Sequence, residues 1–407
     1  MKRKILLCCV AILTVGVGSG KAAAAEFATP KEFPAVWPSN PPKGCPFAES
    51  TDITGVMITG RHANYTSADG WYPSWAADGN LYSAWSDGYI KGVYCLSGGG
   101  AKARTAQARI SGDDPMKLEV VSLGISSISA LPYRGRYPCG SLVHKGIWYY
   151  GMYSLHHQLN GRPYGGDWRV VKRDGGNVWG IMGPFVGWRY STDLGKTWHE
   201  TKHTPNKPLF PEPKKFCGPV RFGSPVFVDF GRDMQHSPDG KAYIVAHGSV
   251  EPDPKPRSSN CSWINGDQIY MARITPSIET INDESKYEYF AGHDMEGKAQ
   301  WTDEFEKVKP LIDWNNHCGL VTMTYNAPLK KYITVITDGR DDGKGNYDTY
   351  ILESDEINGT HNNTRSPRLS SRWSSCQWKL TVPRTPRQVA QRARLSTSGL
   401  FPRRVVP

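Results

Sequence analysis

Four segments of this chain share one design: a small or polar opening, an apolar strand, a turn, and a second strand rich in Tyr or Trp. They start at Tyr72-Pro73-Ser74-Trp75, Tyr137-Pro138-Cys139-Gly140-Ser141, Phe222-Gly223-Ser224-Pro225-Val226-Phe227 and Asn315-Asn316-His317-Cys318-Gly319. Successive openings lie roughly 65–95 residues apart, so the loops between strands must be large. Asp78-Gly79, Asp87-Gly88, Asp239-Gly240 and Asp338-Gly339 punctuate the units with turns in which glycine takes φ > 0. Helical periodicity is scarce, and 14 Trp, 20 Tyr and 42 Gly suit short aromatic strands joined by tight turns. One such unit cannot bury its own apolar face, so neighbours must stack on each other. The expected fold is all-β, a β-propeller of five blades whose last blade is incomplete or altered.

The two ends differ from the body. Met1-Lys2-Arg3-Lys4, the apolar run Ile5 to Gly18 and the small residues Ala22 to Ala25 read as a secretory signal over residues 1–25. The apolar run is too short for a membrane span. The expected location is therefore secreted or periplasmic, with no integral membrane association. Residues 360–407 hold nine Arg, one Lys and no acidic residue. Leader and tail together take fourteen of the 49 basic residues and none of the 38 acidic ones, so residues 26–359 carry a net charge of −3. The formal charge of +11 thus describes the ends, and a nucleic-acid partner is not expected from it. The tail stands where a fifth repeat is due. Its composition predicts disorder, either as a natural basic arm or as out-of-frame translation of a lost final segment. The propeller domain is expected over residues 26–359.

Ser191-Thr192-Asp193-Leu194-Gly195-Lys196-Thr197-Trp198 has the chemistry of a hairpin. Asp193 can accept from the turn backbone, Gly195 supplies φ > 0, and Trp198 packs across the turn. The segment resembles the Asp-box of sialidase-like propellers, which makes Asp193 structural. The repeat openings resemble those of the five-bladed glycan-active propellers, the arabinanase, xylosidase and fructosidase superfamily, and related uncharacterised-domain propellers. Propeller-type ulvan lyases are a further relative. The resemblance covers about residues 50–355 and implies a polysaccharide or oligosaccharide substrate. A monomer is expected, with no cofactor and no metal.

Glycoside hydrolysis needs two carboxylates flanking the scissile bond. The resembled hydrolases place an Asp at the first opening, where this chain reads Tyr72-Pro73-Ser74. The candidates are then Asp87, Asp229, Asp233, Asp267 and Asp338. Phe230 to His236 puts Asp233, Arg232 and His236 in one loop after an apolar strand, which makes Asp233 and His236 the leading acid–base pair. Asp87 and Asp338 also fit as plain turn formers. Elimination at a uronate is the second reading, with a His or Tyr base and a cation such as Arg136. A non-catalytic carbohydrate-binding or assembly propeller is the third. Trp71 and Trp314, beside openings, are candidates for stacking on sugar rings, with Arg136 and His317 as further substrate contacts, although most indoles should be core. Six cysteines lie in the body, Cys45, Cys95, Cys139, Cys217, Cys261 and Cys318, an even number that permits disulfides after export.

Overall fold

The computed structural model describes residues 10–11, 34–38, 45–50, 52–53, 55–156, 181–212, 220–249, 266–315, 317–338, 348–359 and 374–378. The chain is built from strands with a few single 3₁₀ turns. The N-terminal strands are β1 (Val10–Ala11), β2 (Ala35–Pro38), β3 (Ala48–Glu49) and β4 (Gly55–Ile58). Next come β5 (Ser74–Trp75), β6 (Leu81–Trp85), β7 (Gly88–Ile90), β8 (Val93–Cys95), β9 (Arg104–Ser111) and β10 (Glu119–Ser127). They are followed by β11 (Gly135–His144), β12 (Ile147–His156) and β13 (Ile181–Ser191). The third group is β14 (Val226–Phe227), β15 (Ala242–Gly248), β16 (Gln268–Ile274), β17 (Glu288–His293), β18 (Ala299–Thr302) and β19 (Pro310–Asp313). The last is β20 (Val321–Asn326), β21 (Lys331–Asp338), β22 (Asp348–Ser354) and β23 (Ser374–Trp378).

These strands form four consecutive antiparallel meanders: β5-β6-β9-β10, β11-β12-β13, β14-β15-β16-β17-β18, and β20-β21-β22-β23. The all-β expectation holds. Each of the four repeat openings leads into the first strand of one sheet. β5 lies beside β11, β11 beside β14 and β14 beside β20. The first strands run the same way: Asp229 and Thr324 form a parallel bridge, with Asp229 N–H donating to the Met323 carbonyl at 2.9 Å and Tyr325 N–H to the Asp229 carbonyl at 2.8 Å. Between the first two sheets, the Val143 N–H donates to Ser74 Oγ at 2.9 Å. The repeat openings therefore share one end of the first strands, and the first hairpin turns share the other.

The hairpin ends repeat a single local device. In the first sheet the Asp78 carboxylate accepts from the Asn80 amide and from the Tyr82 hydroxyl at 2.8 Å. In the third, Asp239 accepts from the Lys241 amide and from the Tyr243 hydroxyl at 2.9 Å. The same spacing, Asp-Gly-x-x-Tyr, makes the same turn twice. The Asp193 turn also forms as its residues require. Asp193 accepts from Thr197 N at 2.9 Å and Thr197 Oγ1 at 2.7 Å, Gly195 N donates to Ser191 Oγ, and Gly195 has φ 98°. Trp198 packs edge-on against Trp148 and Tyr150 with centroids 4.9 and 4.8 Å apart.

The main core fills the space between the second, third and fourth sheets with Trp188, Phe185, Phe210, Phe222, Phe227, Tyr289 and their neighbours. A second cluster joins the first and second sheets through Tyr82, Trp148, Tyr150 and Met152. Small residues sit where first strands cross. Gly140, at a register shift in β11, is so close to β14 that a Cβ there would meet Val226 Cα at 2.8 Å and Phe227 N at 2.9 Å.

Both ends of the chain join sheets. Val10–Ala11, within the stretch expected to be a secretory leader, pair with β4. Ser374–Trp378, within the tail expected to be disordered, form β23 on β22, and β3 pairs with β23 in parallel. The physical reason for β23 lies in its residues: Ser374-Ser375-Cys376-Gln377-Trp378 is an uncharged island in the Arg-rich tail, and the outer edge of β22 offers it a full row of backbone partners.

The contact at Gly140 gives a direct test. Gly140→Ala must push β11 off β14 backbone, and the expected cost is roughly 1–3 kcal/mol. Thermal melting of the variant should show a clear drop. An unchanged melting temperature would mean the two strands are not in contact.

Candidate active site

At the opening end, three sheets meet through Tyr72, Cys139 and Ser224. The Tyr72 amide donates to Ser83 Oγ at 2.8 Å, which fixes the first opening on β6. Its phenol is pushed well above the ordinary tyrosine range, first by burial and then by Cys139, while the Ser224 hydroxyl pulls it back and the charge of Asp69 adds to the rise. Tyr72 of the first opening thus feels side chains of the second and third. Tyr153, buried on β12, is raised in the same way by burial and by Tyr72, Tyr137, Cys139 and Asp69. Tyr137 and Tyr153 pack with centroids 5.9 Å apart. Asp69 is 6% exposed, and its backbone pairs with Ser86 in both directions at 2.8 Å.

The rim continues toward the fourth opening by backbone hydrogen bonds. Gly223 N–H donates to the His247 carbonyl, Asp267 N–H to the Gly248 carbonyl, Trp314 N–H to the Asp267 carbonyl, and Cys318 N–H to the Gly266 carbonyl. Gly266 has no room for a side chain, since a Cβ would lie 2.4 Å from the Cys318 carbonyl oxygen. Asp267 is buried at 8% exposure. The opening end therefore carries two buried carboxylates, Asp69 from the first sheet and Asp267 from the third.

The residues singled out from the sequence fall in different places. Asp267 stands on this rim. Asp87, also at the opening end, has φ 49°, and its carboxylate accepts from Ser86 Oγ at 2.7 Å and from the Ser97 amide at 2.8 Å, as a turn former does. Asp338 ends β21 at the same end, paired in register with Asp348. Asp229 accepts from the Gly231 amide at 2.8 Å. Asp233 and His236 follow β14 and stand at the hairpin end, away from the openings. There Asp233, with φ 52°, accepts from the Lys145 amide at 2.7 Å and lies 3.2 Å from His144 Nδ1. His236 packs against Tyr325 with centroids 5.4 Å apart. This pair thus follows β14, where the turn of Arg232–Met234 packs on β5 and β11.

Among the aromatic candidates, Trp71 is half-buried, stacks on Trp85 and donates its indole N–H to the Ala68 carbonyl at 3.0 Å. Trp314 is buried, with His317 stacked at 4.5 Å, Tyr350 at 4.6 Å and Phe47 edge-on at 5.6 Å. Its rings are thus core, the plainer of the two sequence readings. His317 Nδ1 lies 3.1 Å from the Tyr350 hydroxyl. Arg136 donates from Nη1 to the Ser129 carbonyl at 3.3 Å; burial lowers its pKa, and Glu200 acts against that. Cys95 and Cys139 are buried free thiols, whereas Cys217 and Cys261 lie outside the described residues. Among the described residues no group of three His, Cys, Asp or Glu could hold a metal ion.

Sequence reasoning passed over Asp69 and Glu212. Asp69-Gly70 lies three residues before the first opening, and its Asp-Gly signature marks a turn, with Gly70 at φ 71°. The signal was there, but one step upstream of the repeat boundary. Glu212, in Pro211-Glu212-Pro213, is buried and accepts from the Arg221 amide at 2.9 Å and the Phe222 amide at 2.7 Å, which pins the approach to β14. Burial pushes its carboxyl up to about 7, against the lowering effect of those two amides and of Arg221.

Comparisons with known proteins give structures only. No family model matches the chain, and no curated protein does. Among solved structures, a family 117 glycoside hydrolase of Zobellia galactanivorans is 11% identical, covering 80% of this chain and 74% of its own, with a TM-score of 0.40. The GH43_1 enzyme of Xanthomonas citri, solved with xylotriose, is 11% identical over 76% and 72%, with a TM-score of 0.39. The α-L-arabinofuranosidase PaAbf62A of Podospora anserina, solved with cellotriose, is 12% identical over 81% and 70%, with a TM-score of 0.35.

Two predictions follow from the geometry. Glu212 is protonated in the folded chain up to about pH 7, whereas an unfolded glutamate loses its proton near 4.5. Its raised value favours folding fully below the unfolded value, and that contribution is lost as pH rises through about 7, on the order of 3 kcal/mol in all. Melting temperature against pH should fall less steeply between pH 5 and 8 in Glu212→Gln than in the parent; parallel curves would contradict the buried carboxyl. At the hairpin end, Asp233→Ala should lower stability by about 1 kcal/mol and leave turnover near the parent value. A large loss of turnover in a folded Asp233→Ala chain would return that loop to the chemistry.

Proposed function

We propose that this protein is an exported glycan-active hydrolase whose site is the opening end of a five-bladed ring. The observation that carries the reading is the pair of buried carboxylates, Asp69 and Asp267, at the opening end of the first and third sheets. Two carboxylates on opposing rims are what acid–base cleavage of a glycosidic bond requires. In this reading Asp69, buried near the Tyr72 and Tyr153 phenols, is one of the two acid–base groups. Asp267 acts from the facing rim. The tyrosines shape the floor on which a sugar ring rests. In this reading β2 and β3, which meet β23, belong to the fifth position and close the ring. Secretion, read from residues 1–25, places such an enzyme, as a monomer, among extracellular polysaccharides.

Elimination at a uronate stands as the second reading, favoured by the concentration of tyrosines and by Arg136 near the same opening. The two reactions leave different products, so one experiment separates them. Incubation with a panel of polysaccharides should release new reducing ends without an ultraviolet-absorbing unsaturated product. Asp69→Asn and Asp267→Asn should each lower that release by about 10²–10⁴-fold at an unchanged melting temperature. An unsaturated product would move the assignment to a lyase. Parent-level activity in both variants would remove the pair from the mechanism.

A further inference from the structure

The first sheet carries an insertion on the opening end that the cleavage chemistry leaves unused. Between β6 and β9, β7 and β8 form a hairpin closed by Lys91-Gly92, with φ 45° and 86°, a two-residue turn of the type that holds strands tightly. Its two cross-strand tyrosines, Tyr89 and Tyr94, are 51% and 38% exposed, with ring centroids 4.8 Å apart. Large aromatic side chains held out in water on a rigid hairpin point to a surface that meets a partner.

One cation lies over this ring pair, and others stand on the same hairpin and the segments bonded to it. Arg104 lies over the Tyr94 ring at 5.6 Å. Lys91 and Lys102 are exposed. Arg134 and Arg136 come from the connection into β11, and backbone hydrogen bonds bind that connection to the insertion: Gly100 N–H to the Arg134 carbonyl at 2.8 Å, Arg136 N–H to the Ser97 carbonyl at 3.2 Å, and Arg104 N–H to the Leu96 carbonyl at 3.0 Å. Residues 88–112 and 128–137 contain no Asp or Glu. Among the described residues none of these five cations lies within ion-pair distance of a carboxylate, although Glu200 acts on Arg136 from farther away. A body with a net charge of −3 thus concentrates positive charge at one place. That place adjoins the carboxylate site: the Ser67 N–H donates to the Tyr89 carbonyl at 3.1 Å, two residues before Asp69, and Gly98 faces the Tyr137 hydroxyl.

We propose that the Tyr89–Tyr94 hairpin, with Lys91, Lys102, Arg104 and Arg134, binds an acidic polysaccharide strand and leads it to the Asp69 rim. The inference deepens the glycan-active reading and rests on it. The exposed ring pair, its two planes tilted by 36°, offers apolar faces to sugar rings, and the cations offer charge to carboxylate or sulfate groups along the strand. A glycan is the occupant argued for because this surface adjoins the rim proposed to cleave glycans, through the Ser67–Tyr89 backbone hydrogen bond two residues before Asp69; double-stranded DNA is one arm of the test.

The test is affinity electrophoresis of the full chain through gels containing polygalacturonate, a sulfated galactan, neutral xylan or double-stranded DNA, with Tyr89→Ala/Tyr94→Ala and Lys102→Ala/Arg104→Ala alongside. The Arg-rich tail is present in every sample, so retention that differs between parent and variants reports the hairpin. The parent should be retarded by one of the two acidic glycans, the uronate or the sulfated one naming the group recognised, and each double variant should bind about tenfold more weakly. Equal retention of parent and variants, stronger retention by DNA than by either acidic glycan, or retention by xylan alone would overturn the proposal. Asp69→Asn separates the two readings. If it and the parent bind the acidic glycan through the hairpin and neither cleaves it, the hydrolase reading fails and the binding surface stands.

Discussion

Everything at the opening end depends on how closely the first strands of the sheets approach one another. At Gly140 the β11 backbone touches the β14 backbone with no room for a single carbon between them. The parallel bridge of Asp229 with Thr324 does the same for β14 and β20, and Ser74 with Val143 for β5 and β11. Strands this close place the ends of different sheets within side-chain reach, which is how Tyr72, Cys139 and Ser224, far apart in sequence, come to affect one another. The aromatic packing outside them, Trp188 against Phe227 and Tyr82 against Trp148, fills the widening space between sheets and so holds the approach fixed.

The two ends of the first strands are consequently different surfaces. The hairpin end is occupied by turn chemistry: Asp78, Asp193, Asp233 and Asp239 all spend their carboxylates on nearby amides and hydroxyls. Such groups are already satisfied and stabilise the turns they sit in. At the opening end Asp69 lies near the phenols of Tyr72 and Tyr153, whose pKa values burial raises first. Perturbed titratable groups cluster where chemistry takes place, which is why the opening end is the surface proposed for it.

Much of the fold was legible before any coordinates. The four openings and the hairpin chemistry of Asp193 rest on short patterns of Gly, Asp and aromatic residues that act locally. The candidate site was less legible because the residues proposed for it come from separate units. Asp233 and His236 stand together in sequence as an acid–base pair would, yet a strand separates them in space from the openings: β14 enters at one end and the loop leaves at the other. Asp69 lies one turn upstream of the repeat that defined the first opening, so the pattern that located the opening excluded its carboxylate. Trp314 looked like an exposed indole beside an opening, whereas His317, Tyr350 and Phe47 cover it, and only the tertiary fold could supply the latter two. Ser374–Trp378 shows the converse: tail composition averaged over 48 residues hid five uncharged ones able to extend a sheet.

The central claim is that the opening end, and not the hairpin end, receives the substrate. Amide hydrogen exchange with and without a bound oligosaccharide tests it most directly, because it reads every segment at once without a substitution. The account predicts slowed exchange at Asp69–Tyr72, around Ser224 and at Gly266–Gln268, with exchange at Lys145 and at Arg232–His236 unchanged. Protection confined to Lys145 and Arg232–His236 would contradict it.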